Sequence, residues 1–335
     1  MSDKNLTEKF SHLLLEPDNT FEAYFLEFYP CTSIVHTESE FSCHMIRIDV
    51  NGKDRTEAIA NMVSQRIISY AIPRSEIAKA QKLDIEENTA SHVLALGKKA
   101  QSLFTDLKQT GECGEMLLYL FANAYLKAPQ VLCKMPFKTS SKLHYQGIDG
   151  LHAKYDEEND CFLLFWGEAK VYSNISDAFT ECFNSIAGIL LSNWGSTDPA
   201  ERDLQLFRDN IDFDNPEMES LVLNFLDVDN PKSLKLKNCG VCFIGVDEDA
   251  YSKITENEVK KERISHVASW QKSLETRIKN KGLEKIFIHI FFSSFSFCRK
   301  ISSSIPKGVK FTKCIKWPKR FFQYPNLKLT MTLLK

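Results

Sequence analysis

The chain has no uninterrupted apolar run of the roughly 18 residues needed for a membrane-crossing helix, so no transmembrane segment is expected. Glycine and proline are sparse, at 13 and 11 of 335 residues. No internal repeat or long low-complexity segment is present, which excludes solenoid and collagen-like architectures. The start, Met1-Ser2-Asp3-Lys4, lacks the basic residues and apolar stretch of a secretion signal, and a cytoplasmic location is expected. No separate helix-turn-helix, zinc module or methyltransferase motif is present to supply sequence recognition. Ten cysteines occur, but not in the dense framework of a short secreted domain. They are scattered through apolar segments, as buried thiols are. Only Cys239 and Cys242 stand close. A zinc site would need a second pair or nearby histidines, and a redox pair would sit at a helix start. Cys242 runs instead into Phe243-Ile244-Gly245-Val246, which reads as a strand.

What is present is an ordinary globular composition, 43% hydrophobic and 26% charged. The length suits one large core or about two smaller ones. The net charge of −2 is unevenly distributed. Residues 295–335 carry about ten basic side chains and no acidic one, leaving the preceding body near −12. Such a tail can meet nucleic acid or an acidic partner, or it can be a solvated extension.

Periodicity gives the organisation. His44 to Val50 alternates as a half-buried strand, with Ile46, Ile48 and Val50 inward and Glu22 to Phe28 as its candidate partner. Helical spacing follows over Thr56–Tyr70 and over Glu86–Leu107. A helix over Glu112–Leu126 stops before Pro129. Strands are expected over Val131–Met135, Tyr145–Lys154 and Cys161–Val171, the last two joined by the polar turn Asp156-Glu157-Glu158-Asn159-Asp160. Ser176 or Asp177 can cap a helix reaching about Trp194. Thr197–Asn238 is polar with short helices. Cys239–Val246 is a buried strand, and Glu256–Lys281 a helix with Ile264, Val267, Trp270, Leu274 and Ile278 inward and Gly282 at its end. Ile286–Phe292 is a further strand.

The chemistry lies in the central hairpin. With its turn centred between Glu158 and Asn159, Asp149 stands opposite Glu168. Opposed residues on antiparallel strands share a face, with Cβ atoms about 4.5–5.5 Å apart. Lys170 follows two residues on and projects to the same side. Two carboxylates this close repel unless a cation joins them. A hard divalent ion, Mg²⁺ or Mn²⁺, is the expected cation, with Asp149, Glu168 and the Ala169 backbone carbonyl as oxygen ligands. Such an ion polarises a phosphodiester oxygen and acidifies water. Lys170 would orient or activate that water and offset transition-state charge. The competing reading is a charged surface hairpin, but Cys161–Gly167 is apolar on both faces, and continuing it with an unpartnered Glu and Lys would be costly.

These residues carry a resemblance. Gly147-Ile148-Asp149-Gly150 followed by Trp166-Gly167-Glu168-Ala169-Lys170 resembles the signature of PD-(D/E)XK nucleases. The segments 114–119 (GEMLLY), 147–152 (GIDGLH) and 167–179 (GEAKVYSNISDAF) are similar to HamA nuclease subunits of the Hachiman anti-phage defence system. The likeness is closest over residues 111–191. It implies a mixed α+β (α/β) fold with a restriction-endonuclease-like core, a central mixed sheet flanked by helices. The expected division is an α+β lead-in over 1–108, the nuclease core over 109–292 and a basic tail over 293–335. It further implies a Mg²⁺-dependent deoxyribonuclease that degrades DNA with little sequence specificity, restrained by a HamB-type superfamily 2 helicase. In many such enzymes a helix glutamate completes the metal site, and Glu115 occupies that place. The competing reading of Glu115 is a carboxylate that simply serves the helix dipole.

Other residues keep two readings. His152 is a supporting contact behind the metal site, a DNA contact, or a satisfied structural histidine. Lys134, Lys138 and Lys142 contact phosphates or are solvated loop lysines, and His144 shares their loop. Trp166 and Tyr172 are core residues or stacking platforms. Two other functions compete: a catalytically weak nuclease-fold subunit that docks to and regulates the helicase, and a stand-alone restriction or repair endonuclease. The acidic body argues against tight independent DNA binding, because phosphate contacts need Lys and Arg.

Overall fold

The computed structural model describes residues 6–15, 21–104, 111–137, 147–192, 199–247 and 255–295. Six strands form one mixed sheet: β1 (Phe25–Ser33), β2 (Glu40–Ile46), β3 (Gly150–Asp156), β4 (Cys161–Tyr172), β5 (Leu236–Asp247) and β6 (Ile288–Phe295). Their spatial order is β1-β2-β6-β5-β4-β3. The two outer pairs are antiparallel hairpins, and β2, β6, β5 and β4 run parallel. Parallel central strands need cover on both faces, and helices supply it.

One face carries α1 (Leu6–His12), α7 (Ile175–Leu190), α8 (Pro199–Asp209), α9 (Pro216–Leu226) and α10 (Glu256–Asn280), packed on Phe162, Leu164 and Trp166 of β4. The other carries α2 (Thr56–Gln65), α3 (Ile67–Ala71), α4 (Arg74–Glu86), α5 (Ser91–Leu103) and α6 (Glu112–Ala124), packed on Leu163 and Phe165. The continuous apolar run of β4 is thus explained by burial on both sides. Cys239 and Cys242 are both buried in β5, but they fall in opposite cores, which is what odd and even strand positions dictate.

The β3–β4 register is the expected one, with Gly150 opposite Gly167 and Asp156 opposite Cys161. Asp156 holds the turn by accepting from the backbone N–H groups of Glu158 (3.1 Å) and Asn159 (3.2 Å). Gly167 admits helix α6: a Cβ there would lie 2.9 Å from both the Gly150 carbonyl oxygen and Leu118 Cδ2. Gly282 ends α10 at φ +71°, a left-handed conformation suited to glycine.

Several elements differ from expectation. The strand at His44–Val50 is shifted to Glu40–Ile46 and pairs with β1, and Val50 is exposed beyond its end. β3 begins at Gly150; Tyr145 and Gln146, where the expected strand starts, lie outside the described residues. The helix over 56–70 breaks at Arg66 into α2 and α3. The helix expected over Glu86–Leu107 begins only at Ser91, as α5, because the Asp84 carboxylate accepts from the N–H groups of His92 and Val93; Glu86 is instead the last residue of α4, and residues 105–107 lie outside the described residues. Val131–Met135 is not a strand. It follows β3 through a bridge from Gln130 to His152 and then turns at a 3₁₀ segment, Met135–Phe137, which contains Pro136. The cap of α7 is Asn174, and the helix ends at Leu190. On α10, Ile264 points outward and Arg263 is buried instead. Lys138, Lys142 and His144, and the tail from 296 onward, lie outside the described residues. β1 and β2, from the expected lead-in, belong to the same sheet as the hairpin that carries Asp149 and Glu168.

Candidate active site

The site forms where β4 outruns its edge partner. β3 begins at Gly150, opposite Gly167, whereas β4 continues to Tyr172. Asp149, one residue before β3, donates its backbone N–H to the Gly167 carbonyl (2.9 Å), and its carboxylate accepts from the Ala169 N–H (2.8 Å). Beside it, Glu168 and Lys170 project to one face, and Lys170 Nζ lies 2.5 Å from Glu168 Oε1. The i, i+2 spacing on a strand produces this contact.

Glu168 is only 4% exposed. Burial, reinforced by the charge of Asp149, pushes its carboxyl up to about 7, against the pull of Lys170 and Ser185. Lys170 loses water contact, which works against its charge, but Glu168 and Asp149 hold its ammonium above the usual range. It is therefore protonated at neutral pH.

Helix α6 brings Glu115 to the same region. A Cβ on Gly114 would touch Val171 Cγ2 (3.1 Å) and Ala169 Cβ (3.4 Å), so the first turn of α6 lies against the end of β4. Glu115 accepts a hydrogen bond from the Tyr70 hydroxyl (3.1 Å). Burial, with Glu115 and Asp149 adding to it, keeps the Tyr70 phenol well above its usual range.

Three participants were not singled out for this cluster. Tyr70 is one. Lys134 is buried rather than a solvated loop lysine; burial lowers its ammonium pKa, opposed by Asp149, Glu115, Asp203 and Glu168. Its position inside the apolar run Val131–Met135 was the available signal. Asp203, fully buried on α8, accepts from the Ile148 N–H (2.9 Å) and so secures the residue preceding Asp149. Nothing in its local sequence distinguishes it from a solvated helix carboxylate.

His152 takes the structural role. It is fully buried, its Nδ1 lies 3.0 Å from the Ala128 carbonyl oxygen, and burial lowers its pKa to about 4. It stands opposite Phe165, on the sheet face away from Glu168 and Lys170. Trp166 is a core residue whose indole N–H donates to Asn238 (2.9 Å). Tyr172 is 38% exposed at the end of β4.

A six-stranded mixed sheet enclosed by helices, with its carboxylates gathered at the end of an inner strand, is consistent with an α+β nuclease-like core. The HamA family model matches residues 22–298. The chain belongs to the HamA family, whose members are proteins of Hachiman anti-phage defence. No curated protein matches it. Among the described residues no helix is long and apolar enough to cross a membrane.

Proposed function

We propose that the protein is a metal-dependent DNA endonuclease effector of phage defence, cutting with little sequence preference under the control of a partner helicase. The observation that carries this reading is the convergence of Asp149, Glu168 and Lys170 at the overhanging end of β4. The donor set suits a hard cation. A nearly buried glutamate raised to about 7 beside a second carboxylate is a site in want of positive charge. In a strand the N–H and C=O of one residue point the same way. The Ala169 carbonyl, like its N–H, therefore faces past the start of β3 toward Asp149.

Asp149, Glu168 and the Ala169 carbonyl would hold Mg²⁺ or Mn²⁺, with Glu115 the further candidate. The chemistry such an ion supplies when bound is polarisation of a phosphodiester oxygen and acidification of water. The chain's own part is positional and electrostatic. Ala169 N–H fixes the rotamer of Asp149. Lys170, protonated, donates to the attacking water or a phosphate oxygen and offsets negative charge in the transition state; its raised pKa makes it a poor base. Lys134, within the field of the same carboxylates, is suited to a second phosphate oxygen.

The test is plasmid degradation by the full chain, with and without its helicase partner, ATP and Mg²⁺. Wild type should degrade DNA, and Glu168→Ala and Lys170→Ala should abolish cleavage while leaving circular dichroism unchanged. Cleavage surviving in both purified variants refutes the active-site assignment. Helicase binding without cleavage under any metal condition favours a docking subunit instead.

A further inference from the structure

A second cluster of ligating side chains lies at the opposite edge of the sheet. Cys31 of β1, Glu40 of β2 and His289 of β6 present Sγ, a carboxylate oxygen and a ring nitrogen, all within 4.8 Å of one another. Three strands converge there for a reason. Glu40 and His289 are register partners on parallel strands. Cys31 reaches them because β1 is irregular between Tyr29 and Thr32, where it spans one residue more than its partner segment, Cys43 to Phe41. A bulge of this kind re-aims a side chain, and here it carries the thiol to 3.2 Å from Glu40 Oε2.

His289 is 4% exposed, yet its Nδ1 makes no hydrogen bond; Glu40 Oε2 stands 3.6 Å away. The other ring nitrogen, Nε2, faces the Ser42 hydroxyl at 3.5 Å, and that hydroxyl lies 3.1 Å from His44 Nε2. In the tautomer whose Nε2–H is directed at that hydroxyl, Nδ1 carries the lone pair, the arrangement of a metal-binding imidazole with its outer partner in place. Zinc bonds to S, N and O are about 2.0–2.3 Å, so the edges of its tetrahedron run roughly 3.3–3.8 Å. The Cys31–Glu40 and Glu40–His289 separations lie close to that range.

We propose that Cys31, Glu40 and His289 bind a borderline-soft divalent cation of the Zn²⁺ type, with solvent as the fourth ligand, clamping the edge hairpin to β6. The thiol sets this site apart from the all-oxygen cluster at Asp149 and Glu168, since sulfur selects Zn²⁺ over Mg²⁺. Cys31 is exposed, so the ion has a route in and the residue can be changed without disturbing a core.

The experiment strips the full chain with a chelator, dialyses it against Co²⁺ and records the thiolate-to-cobalt charge-transfer absorption. Zinc content of a parallel Zn²⁺-loaded sample is measured by mass spectrometry. Wild type should show the absorption and retain one Zn²⁺ per chain more than Cys31→Ser, which should lose the absorption with its circular dichroism unchanged. Glu40→Gln should weaken both, a control that leaves His289 in place should His289→Ala fail to fold. The absorption reports a thiolate, so Co²⁺ at Asp149 and Glu168 does not mimic it. Cys182, whose thiol is held well above its usual range by Cys242, is present in wild type and Cys31→Ser alike. Wild-type protein without the band, or a band of equal size in Cys31→Ser, overturns the proposal.

Discussion

The raised carboxyl of Glu168 makes a quantitative prediction about stability in chelator. Its pKa stands at 4.5 when unperturbed and is pushed to about 7 in the folded chain. The folded state therefore keeps a proton that the unfolded state releases between these values. Stability is undiminished below about pH 4.5, falls as pH rises, and is fully reduced above about pH 7. With one unit worth about 1.4 kcal/mol, the loss from about pH 5 to about pH 8 is on the order of 2–3 kcal/mol. At about 2 °C per kcal/mol for a chain of this size, that is a fall of roughly 5 °C in Tm. The assay is thermal unfolding in EDTA across this range for wild type and Glu168→Gln. The variant keeps shape and hydrogen bonding but does not titrate, so the difference between the two curves isolates Glu168. Wild type should lose those degrees relative to the variant, and adding Mn²⁺ at about pH 8 should restore most of them. Parallel curves in EDTA, or a wild type that gains stability with pH, refute the reasoning.

Other perturbations follow from the same geometry. Gly167→Ala drives a Cβ to 2.9 Å from the Gly150 backbone, and should cost about 1–3 kcal/mol in urea denaturation, with cleavage reduced because the Asp149–Glu168 register shifts. Asp203→Ala orphans the buried Ile148 N–H; a penalty of about 1–3 kcal/mol is expected by denaturation, and a loss below about 0.5 kcal/mol contradicts it. Tyr70→Phe deletes the hydroxyl that donates to Glu115, which should lower stability by about 1–2 kcal/mol and weaken Mn²⁺ binding in calorimetry if Glu115 is a ligand. Thr255→Ala removes a capping box at the start of α10, and a Tm decrease matching about 1 kcal/mol is expected with no change in DNA cleavage.

The hairpin register was legible because local chemistry fixes it. The Asp156–Asp160 turn is short and polar, and β4 is apolar on both sides, so only one pairing placed Asp149 beside Glu168. The helix α10 was legible from its period and its terminal glycine. What escaped depends on partners distant in sequence. α4 buries only Ala80 and Asp84, too few to leave a period. The bulge that redirects Cys31 is a property of pairing with β2, not of the β1 sequence. Lys134 and Asp203 join the cluster through tertiary packing across stretches of 69 residues (134 to 203), a distance over which a residue string carries no pairing rule. His152 shows the converse: strand parity already placed it off the Asp149 face, and that parity decided its role.

β4 is held by β5 along its length, from Phe162 opposite Leu236 to Tyr172 opposite Val246, and both its faces are packed. Glu168 and Lys170 are thus mounted on a stiff central member, not on a loop. Their spacing cannot be changed without displacing the sheet itself, which would disrupt both cores at once. The strand that carries Glu168 and Lys170 therefore offers an inhibitor nothing soft to bend. Under the proposed nuclease function, restraint would act from outside, at the open end of the strand, by deciding when DNA arrives there.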